Sequence, residues 1–529
     1  MKIPLTPIRC LYRGVDLYGK KTGLISGQHR FTYEQFGEHC ERLAEGLRKE
    51  GIVRGDRVAY LSFNNHQLLE GYYGVPLARA IVMPLNVRLA PAELIAILNH
   101  AKPRILIFEG EFGPFIRQFR AACPSIERYI TIGELSPEGD IAYDELLSHG
   151  RKDRPDILSF DEDEIAEIFY TSGSTGTPKG VALSHRTVYL HALNAAVSIR
   201  PSDNDVELHT IPLFHANGWG RAHITFMSGA KQVMVRRFEP VLVLRLIDEE
   251  RATGMSLVPT MANALLNCPE FDRFDHSSLC EIYLGGAASS AELIARLEQA
   301  FGCDVLVGYG LTETSPIVST SRQKGTIRFD NEEDRLRRRA SAGWPLVGNE
   351  IRVVDTNMRD VPRDGQTIGE VIVRADNVMD GYYLDPQGTE CAITEGWLHT
   401  GDMAVWDSET YVQIVDRKKD IIISGGENIS SIEVENAIFA HPAVLECAVV
   451  AAPDPKWGEI PAALIVLKPD QELPCSQLLA FLEERIAKFK MPRIIEFVPA
   501  PLPKTGTGKI LKRDLREAFW TGRQFRVQG

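Results

Sequence analysis

The chain has 529 residues, more than one hydrophobic core normally supports, so its length predicts at least two domains. Its hydrophobic share of 44% and charged share of 25% are ordinary for a globular protein. The formal net charge of −12 argues against broad binding to nucleic acid or to a membrane surface. No stretch reaches the roughly 18 uncharged apolar residues of a membrane span. We therefore expect no nucleic-acid partner and no integral membrane segment.

The nine cysteines are scattered and include no C-x-x-C pair. We expect neither a disulfide framework nor a cysteine metal site. Residues 1–7 lack the apolar run of a signal peptide, and residues 526–529 carry no peroxisomal address of the S-K-L kind. These features predict a reduced protein in the cytoplasm.

Residues 31–51 have the periodicity of an amphipathic helix, in which Thr32 and Gln35 form a capping box. Short strands are predicted at residues 57–62, 81–84 and 105–108, with helix-like segments between them. This alternation predicts a doubly wound α/β layout. The next segment, residues 136–162, is rich in charge, Gly, Ser and Pro, and is predicted to be a loop.

The most informative stretch is residues 170–180, which read YTSGSTGTPKG. Its glycines allow tight turns with bare backbone N–H groups, and its hydroxyls and Lys179 add donors, so the loop suits a polyphosphate. Pro178 stands where the Walker pattern needs glycine, which excludes a Walker loop. Apolar residues on both sides predict two extended segments, with a helix beginning near Ser184 or His185. Composition alone also allows a flexible linker.

Beyond this loop the alternation of strands and helices continues to Tyr309, and residues 340–415 then read as short strands with turn signals, a β-rich subdomain. The charge run at residues 416–420 predicts a boundary between domains at 1–418 and 419–529. In the second domain Ser430 and Glu433 have the spacing of a helix start.

A basic cluster lies late in the first domain and follows three acidic residues, Glu332, Glu333 and Asp334. The cluster comprises Arg335, Arg337, Arg338 and Arg339. Mixed charge of this kind favours a solvated surface segment with internal salt bridges. A role in binding phosphate or CoA is the alternative.

Further motifs follow the loop: PLFHANGW at 212–219, LGGAA at 284–288, YGLTET at 309–314, WLHTGD at 397–402, DR at 416–417, SGGEN at 424–428 and PKTGTGK at 503–509. Singly they are ambiguous, because residues 308–313 begin like a dinucleotide fingerprint but end in Glu313, and residues 506–509 lack the other Walker positions. Together with the loop they closely resemble the adenylate-forming superfamily of acyl-CoA synthetases, luciferases and peptide-synthetase adenylation domains. The resemblance covers nearly the whole chain, and its motifs are closest to those of fatty acyl-CoA synthetases.

This resemblance implies an α/β fold: a large N-terminal domain with two doubly wound sheets and a β-rich subdomain, and a small mobile α+β C-terminal domain. It also implies two reaction steps. A carboxylic acid attacks the α-phosphorus of ATP and expels pyrophosphate, and the thiol of CoA then converts the acyl-adenylate to acyl-CoA and AMP. ATP and Mg²⁺ are the implied cofactors, CoA is the co-substrate, a small carboxylic acid is the partner, and a homodimer is possible.

By the same resemblance Lys509 reaches into the site for adenylation, Thr312 donates to the α-phosphate, and Glu313 and His215 complete the catalytic set. Thr171 and Glu313 offer the hard oxygen ligands that Mg²⁺ prefers. The remaining implied ATP-binding residues are Ser172, Gly173, Ser174, Thr175, Gly176, Lys179, Gly286, Ala287, Tyr309, Asp402 and Arg417. The implied acyl pocket and gate comprise His215, Trp219, Gly285 and Gly310; the CoA tunnel Ser424, Gly425 and Gly426; and the hinge Lys419.

The acid is predicted from the segment around Trp219, whose indole resembles the gate of fatty acyl-CoA synthetases and favours a medium- to long-chain fatty acid. No aspartate follows Phe214, which disfavours an amino acid substrate. An aryl or short thioether acid ligase, or a stand-alone adenylation enzyme that loads a carrier protein, is the alternative within the superfamily. From another class, the rival is a nucleotide-binding regulatory protein that has lost catalysis.

Overall fold

The protein is described by a computed structural model that covers residues 2–172, 178–425, 427–504 and 510–520. The described residues form four β-sheets, which we name sheets A to D. Sheets A and B are large, mostly parallel and flanked by helices, sheet C is antiparallel, and sheet D belongs to the C-terminal part. The predicted α/β class, with two doubly wound sheets, a β-rich subdomain and a smaller α+β unit, is confirmed.

Sheet A has eight strands and contains the two that flank the Gly/Ser/Thr-rich loop. Its inner strands are parallel and buried on both faces, as expected of a sheet covered by helices. Its strands, in spatial order, are Gly381–Tyr382, Pro178–Ser184, Ile165–Ser172, Ile81–Pro84, Arg57–Leu61, Ile105–Glu109, Arg128–Ile132 and Ile141–Ala142.

Sheet B has nine strands, again parallel in the middle and antiparallel at both edges. Its strands, in spatial order, are Trp344–Pro345, Ile317–Thr320, Asp304–Gly310, Glu281–Leu284, Gly254–Leu257, Val206–His209, Lys231–Met234, Thr22–Ser26 and His29–Thr32. The motifs at 212–219, 284–288 and 309–314 follow the carboxyl ends of its parallel strands, where α/β sheets place their ligands.

The α-helices cover the faces of the sheets. Their bounds are Ile8–Tyr18, Tyr33–Lys49, His66–Leu77, Pro91–Ala101, Gly113–Ala122, Tyr143–His149, His185–Ile199, Ala216–Trp219, Arg221–Ser228, Pro240–Glu250, Pro259–Leu266, Ala291–Phe301, Glu332–Arg339, Pro386–Ala392, Ser431–Phe439, Cys475–Glu483 and Lys512–Trp520. In the described part of the chain, no helix combines the length and the apolar character needed to cross a membrane.

Local start signals are placed as predicted. Thr32 and Gln35 form the capping box of Tyr33–Lys49, Ser184 caps His185–Ile199, and Ser430 caps Ser431–Phe439. The prediction of a loop over residues 136–162 is wrong in part. A short helix, Tyr143–His149, buries Tyr143, Leu146 and Leu147, and this burial decides the structure where composition suggested a loop.

Sheet C forms the β-rich subdomain, and sheet D belongs to the C-terminal unit. The strands of sheet C are Asn349–Val354, Gly369–Ala375, Trp397–Trp406, Ile393–Thr394 and Val412–Arg417. Those of sheet D are Glu427–Ile429, Ile422–Ser424, Gly458–Leu467, Val444–Asp454 and Ile494–Phe497. Only residues 418–421 join the last strand of sheet C to the first strand of sheet D in sequence order, which is where the predicted boundary falls.

The basic cluster lies on the helix Glu332–Arg339 and makes ion pairs with acidic side chains. Arg335 pairs with Glu298 at 2.6 Å, and Arg338 pairs with Asp407 at 2.6 Å. These contacts agree with the salt-bridged surface segment that mixed charge favours.

Aromatic side chains join the helices of sheet A to those of sheet B. Phe36 lies between Tyr73 and Phe226, with ring centroids 6.0 and 5.0 Å apart, and all three rings are buried. Tyr73 belongs to His66–Leu77 beside sheet A, and Phe226 to Arg221–Ser228 beside sheet B. This packing joins the helical layers of the two sheets.

Three buried histidines predict acid lability. Burial lowers the pKa from 6.5 to about 4 for His185, to about 3 for His191 and to about 4 for His209. Below pH 6.5 these histidines bind protons in the unfolded chain but stay neutral in the folded chain. The free energy of unfolding is therefore highest above pH 6.5 and falls as the pH drops toward the pKa values of the folded chain. We expect the free energy of unfolding to fall by on the order of 1 to 2 kcal/mol per histidine between pH 7.5 and 5.

Urea denaturation at both pH values measures this effect. The variant His185→Gln is expected to show a shallower pH dependence than the wild type. An identical dependence in the two proteins would contradict the role of this buried ring.

Candidate active site

Tyr309, Asp402 and Arg417 come together from sheets B and C. The Tyr309 hydroxyl donates to Asp402 Oδ2 at 2.7 Å, and Arg417 Nε lies 2.7 Å from Asp402 Oδ1. The three residues stand on the strands Asp304–Gly310, Trp397–Trp406 and Val412–Arg417. Pairing of Asp402 with Arg417 across the last two strands fixes the carboxylate.

This carboxylate is almost fully buried, at 4% exposure. Burial by itself would lower the pKa of Arg417, but nearby acidic groups, Asp402 first among them and Glu313 included, outweigh it and raise that pKa. Burial also raises the pKa of Tyr309 well above its ordinary value, so its hydroxyl stays a donor. The cluster is thus a rigid carboxylate with a guanidinium and a phenol ring beside it.

A second cluster gathers Glu313, Tyr382 and Lys179. The Tyr382 hydroxyl donates to Glu313 Oε1 at 3.0 Å, and the Lys179 ammonium lies 4.4 Å from the centre of the Tyr382 ring. Lys179 Nζ is also 3.8 Å from Asp385 Oδ2. On the neighbouring antiparallel strand, Thr171 lies opposite Lys179. Two acidic groups and one basic group therefore lie beside the start of the loop.

Backbone contacts hold the turn that carries Thr312 and Glu313. The N–H of Met379 donates to Glu313 O at 2.8 Å, and Asn377 Nδ2 donates to Thr314 O at 2.7 Å. Gly310, just before the turn, leaves no room for a side chain, since a Cβ there would lie 1.8 Å from Pro316 O. The turn is therefore fixed against residues 377–379, which connect the strand Gly369–Ala375 of sheet C to the strand Gly381–Tyr382 of sheet A.

Asn64 holds the segment that leads to His215 and Trp219. Its Nδ2 donates to His209 O at 3.1 Å and to Ile211 O at 2.9 Å, and its Oδ1 accepts from Leu213 N at 2.7 Å. Asn64 is 3% exposed and lies at the end of sheet A, so it ties the two sheets together at this edge.

We expect Asn64→Ala to raise the KM for the acid about tenfold and to leave the KM for ATP within about twofold. Two buried carbonyls and one N–H lose their partner, at about 1 to 3 kcal/mol each, and the segment loosens. Steady-state kinetics with the acid and ATP varied in turn measures the two KM values.

The neighbouring Asn65 supplies a matched control. Its side chain caps the helix His66–Leu77 and donates to Ser62, without contacting the 209–213 segment. Asn65→Ala should lower stability and leave the acid KM unchanged. A rise in the acid KM of similar size in both variants would show that general destabilisation, rather than the loss of the Asn64 contacts, is responsible.

Trp219 ends a short helix, Ala216–Trp219, directly after His215. Its indole is 9% exposed and packs on Gly285, where an added Cβ would lie 3.1 Å from the ring. The φ angle of Trp219 is 65°, and those of Gly218 and Gly220 are 56° and 72°. Left-handed backbone at a bulky residue is uncommon and is retained where the surroundings impose it.

A cavity of about 290 Å³ opens beside this segment. Thr210, Pro212 and Phe214 of this segment line it. The rest of the lining is mainly aromatic, apolar and basic, and comprises Phe63, Asn64, Arg88, Val235, Arg236, Arg237, Phe238 and Met261. Arg236 pairs with Glu109 and Glu111, and Arg237 with Glu111, so part of this positive charge is balanced within the protein.

The remaining sequence-predicted residues lie at strand ends and turns. Gly286 and Ala287 follow the strand Glu281–Leu284, and the φ of Gly286 is 75°. Ser424 ends the strand Ile422–Ser424, Gly425 packs on the Trp457 ring, and Lys419 lies between sheets C and D. Ser172 ends its strand, with a side chain that is not described. Gly173, Ser174, Thr175, Gly176, Gly426 and Lys509 lie outside the described residues.

The sequence interpretation missed Asn64 and Tyr382. Asn64 contacts residues about 145 positions away, and Tyr382 contacts Glu313 across 69 positions. No motif spacing points to either contact. A weak signal existed for Tyr382, which stands in an aromatic pair with Tyr383 after a turn.

Two family models match the chain: AMP-binding enzyme over residues 11–383 and AMP-binding enzyme C-terminal domain over residues 433–509. A long-chain-fatty-acid–CoA ligase from Thermus thermophilus is 39% identical over 96% of this chain and 94% of its own length. A 3-methylmercaptopropionyl-CoA ligase from Ruegeria pomeroyi is 37% identical over 93% of this chain and 92% of its own.

Among solved structures, an anthranilate CoA ligase in complex with anthranoyl-AMP superposes with a TM-score of 0.90. It is 28% identical and covers 98% of both chains. The family models, the extensive identity and this superposition agree with the joint motif pattern, and on these findings the chain belongs to the AMP-binding enzyme family, the adenylate-forming enzymes.

Proposed function

We propose that this AMP-forming acid–CoA ligase activates a linear apolar acid, a medium- to long-chain fatty acid. The observation that carries the choice of acid is the buried indole of Trp219 on Gly285. Trp219 packs in an apolar cluster with Val258 and Met261, among others, and this cluster would accept an alkyl chain if the ring swung aside.

In the first proposed step an oxygen of the acid carboxylate attacks the α-phosphorus of ATP. The bond between the α-phosphorus and the oxygen that bridges it to the β-phosphate breaks, the β- and γ-phosphates leave as pyrophosphate, and the acyl-adenylate remains. Two anions must meet, so cationic and N–H groups are needed at the phosphates. We assign this work to Lys509 and Thr312, with Lys179, Ser172, Gly173, Ser174, Thr175 and Gly176 holding the departing pyrophosphate.

We assign the nucleoside to the Tyr309, Asp402 and Arg417 cluster. Asp402 accepts from the ribose hydroxyls, Arg417 orients that carboxylate, and the ring of Tyr309 faces the adenine opposite Gly286 and Ala287. The ion pair of the buried Asp402 carboxylate with the part-exposed Arg417 supports this assignment, because it is fixed before any ligand arrives.

The residues present fit a magnesium ion in part. Glu313 and Thr171 offer hard oxygen atoms, and no group of three or more His, Cys, Asp or Glu side chains suited to a metal occurs among the described residues. A site with few protein ligands suits Mg²⁺, which usually keeps waters and takes substrate phosphate oxygens. When bound, the ion would neutralise phosphate charge, and Tyr382 would orient the Glu313 carboxylate through its hydroxyl.

In the second proposed step the sulfur of CoA attacks the acyl carbonyl, and AMP leaves with one former carboxylate oxygen. The basic cavity beside Pro212 and Phe214 supports CoA as acceptor, since Arg236 and Arg237 suit its phosphates. We propose that domains 1–418 and 419–529 reorient about Lys419 between the steps. Ser424, Gly425 and Gly426 would then border the pantetheine path, and His215 and Gly310 the reacting carbonyl.

A panel of acids tests the proposal through pyrophosphate release, measured with and without CoA. The panel includes linear acids of four to eighteen carbons, benzoate, anthranilate and 3-methylmercaptopropionate. We expect the highest kcat/KM for a linear acid of eight or more carbons, with acyl-CoA as the product. Preference for an aryl or short thioether acid would overturn the acid assignment, and transfer only to a carrier protein would overturn CoA as acceptor.

We expect Trp219→Ala to change the chain-length profile of the acid by about tenfold between short and long acids, while the KM for ATP changes less than about twofold. Removing the indole opens the apolar cluster next to Gly285 and removes the bulk that a chain must displace. The same panel measures the profile, with Trp219→Phe as the graded control. An unchanged profile would eliminate the gate.

A further inference from the structure

The buried carboxylate of Asp416, on the last strand of sheet C, is hydrogen-bonded to the C-terminal part. Asp416 is 1% exposed, and its Oδ2 accepts from both the backbone N–H of Ser431, at 2.6 Å, and the Ser431 hydroxyl, at 2.7 Å. Next to it, the Ser430 hydroxyl donates to Val415 O. These contacts join the end of sheet C to the N-terminus of the helix Ser431–Phe439.

Lys512 extends the contacts deeper into the C-terminal part. Its ammonium donates to the Ser431 hydroxyl oxygen at 2.7 Å and lies 2.7 Å from Glu435 Oε1. Glu435 Oε1 in turn accepts from Val449 N at 2.7 Å. One chain of charge-assisted hydrogen bonds therefore connects sheet C, the helix Ser431–Phe439, sheet D and the helix Lys512–Trp520.

The two ends of this chain lie next to residues assigned to the reaction. Asp416 immediately precedes Arg417, which pairs with Asp402, and Asp416 Oδ1 also accepts from the N–H of Arg417. Lys512 follows Lys509 by three residues. Three residues span at most about 10 Å, so the orientation of the part that carries Lys512 limits where Lys509 can lie.

We propose that Asp416 and Lys512 are positioning residues for the adenylation step, which hold the C-terminal part, through Ser431, in the orientation that presents Lys509 to the nucleotide. The inference rests on the proposed function of Lys509 and on reorientation about Lys419. In support, a solved complex that holds anthranoyl-AMP superposes on 98% of this chain with a TM-score of 0.90.

Rotation about Lys419 would separate Asp416 from Ser431, because the two residues lie on opposite sides of residues 418–421. The contact therefore stabilises one orientation and opposes the other. A second contact at the same place, from Arg516 Nη1 to Lys419 O at 2.7 Å, belongs to the helix that carries Lys512. Weakening the chain of contacts should slow adenylation and spare thioester formation.

Lys512→Met and Ser431→Ala test the inference with the full-length protein. We measure acyl-adenylate formation from acid and ATP, and separately acyl-CoA formation from synthetic acyl-adenylate and CoA. The expected result is a kcat for adenylation lower by about tenfold or more, KM values for ATP and acid within twofold, and a second step at the wild-type rate or faster. Lys512→Arg, which keeps the charge, should recover most of the adenylation rate.

Lys490→Met is the matched control, because it removes an ion pair with Glu433 on the same helix without touching Asp416 or Ser431. Its ratio of the two rates should equal that of the wild type. Equal loss of both steps in Lys512→Met and Ser431→Ala, or unchanged adenylation, would overturn the inference while leaving the proposed function intact. A wild type that forms no acyl-adenylate from any acid would overturn the proposed function and the inference with it.

Discussion

Replacing Lys509 by alanine is expected to lower the rate of acyl-adenylate formation by about three orders of magnitude, because the variant lacks the cation assigned to the charge that builds up on the α-phosphate. The rate of acyl-CoA formation from preformed acyl-adenylate should stay within about threefold of the wild type. Rapid-quench measurement of each half-reaction gives the two rates.

Lys504→Ala controls for the loss of a lysine in the same motif. Lys504 pairs with Glu446 within the C-terminal part, so its removal should affect stability more than either rate. Equal loss of both half-reactions in Lys509→Ala would contradict its assignment to the first step. If Lys509→Ala still formed acyl-adenylate at the wild-type rate, another residue would supply the catalytic cation, and Lys179 would be the next candidate.

Gly310→Ala is the second substitution with a large expected effect. An added Cβ would lie 1.8 Å from Pro316 O and 2.7 Å from Pro316 C, both backbone atoms, so the segment before Thr312 must shift. We expect kcat/KM for the complete reaction to fall by about 100-fold or more, because a small displacement of catalytic groups is costly. Thermal denaturation should also show a lower midpoint.

Gly308→Ala provides the comparison two residues earlier on the same strand. There an added Cβ would meet only the Ile317 side chain, at 4.0 Å, which is ordinary contact. This variant should keep activity within about threefold of the wild type. Similar losses in both variants would show that the strand tolerates no side chain for a reason other than the close approach of Pro316.

Local elements of the fold were predictable because their signals lie within a few residues. The capping box of Thr32 and Gln35 and the N-caps at Ser184 and Ser430 each depend on contacts three residues apart. The helix Tyr143–His149 was missed because the burial of three apolar side chains, supplied by distant elements, outweighs a loop-like composition.

The candidate site divides in the same way. Short motifs pointed to Tyr309, Asp402 and Arg417, and the structure brings these three together. Contacts between distant segments, such as that of Tyr382 with Glu313, leave no motif of fixed spacing in the sequence and could not be predicted from it. Motif order shows which segments belong to the site, and only the fold shows which neighbouring side chains complete it.

Some sequence expectations stay predictions. The domain bounds at 418 and 419, the homodimer and the cytoplasmic location belong to this group. Arg335, Arg337, Arg338 and Arg339, by contrast, have gained a physical account, since ion pairs with acidic neighbours engage each of them.

The transfer of ¹⁸O from the acid to AMP tests most directly the claim that the reaction proceeds through an acyl-adenylate. If the acid carboxylate attacks the α-phosphorus of ATP, an acid labelled with ¹⁸O in both carboxylate oxygens must pass one labelled oxygen to AMP and keep the other in the acyl-CoA. Mass spectrometry of the AMP formed in one turnover is therefore expected to show one ¹⁸O atom per molecule. Unlabelled AMP, or ADP and phosphate as products, would contradict the adenylate route.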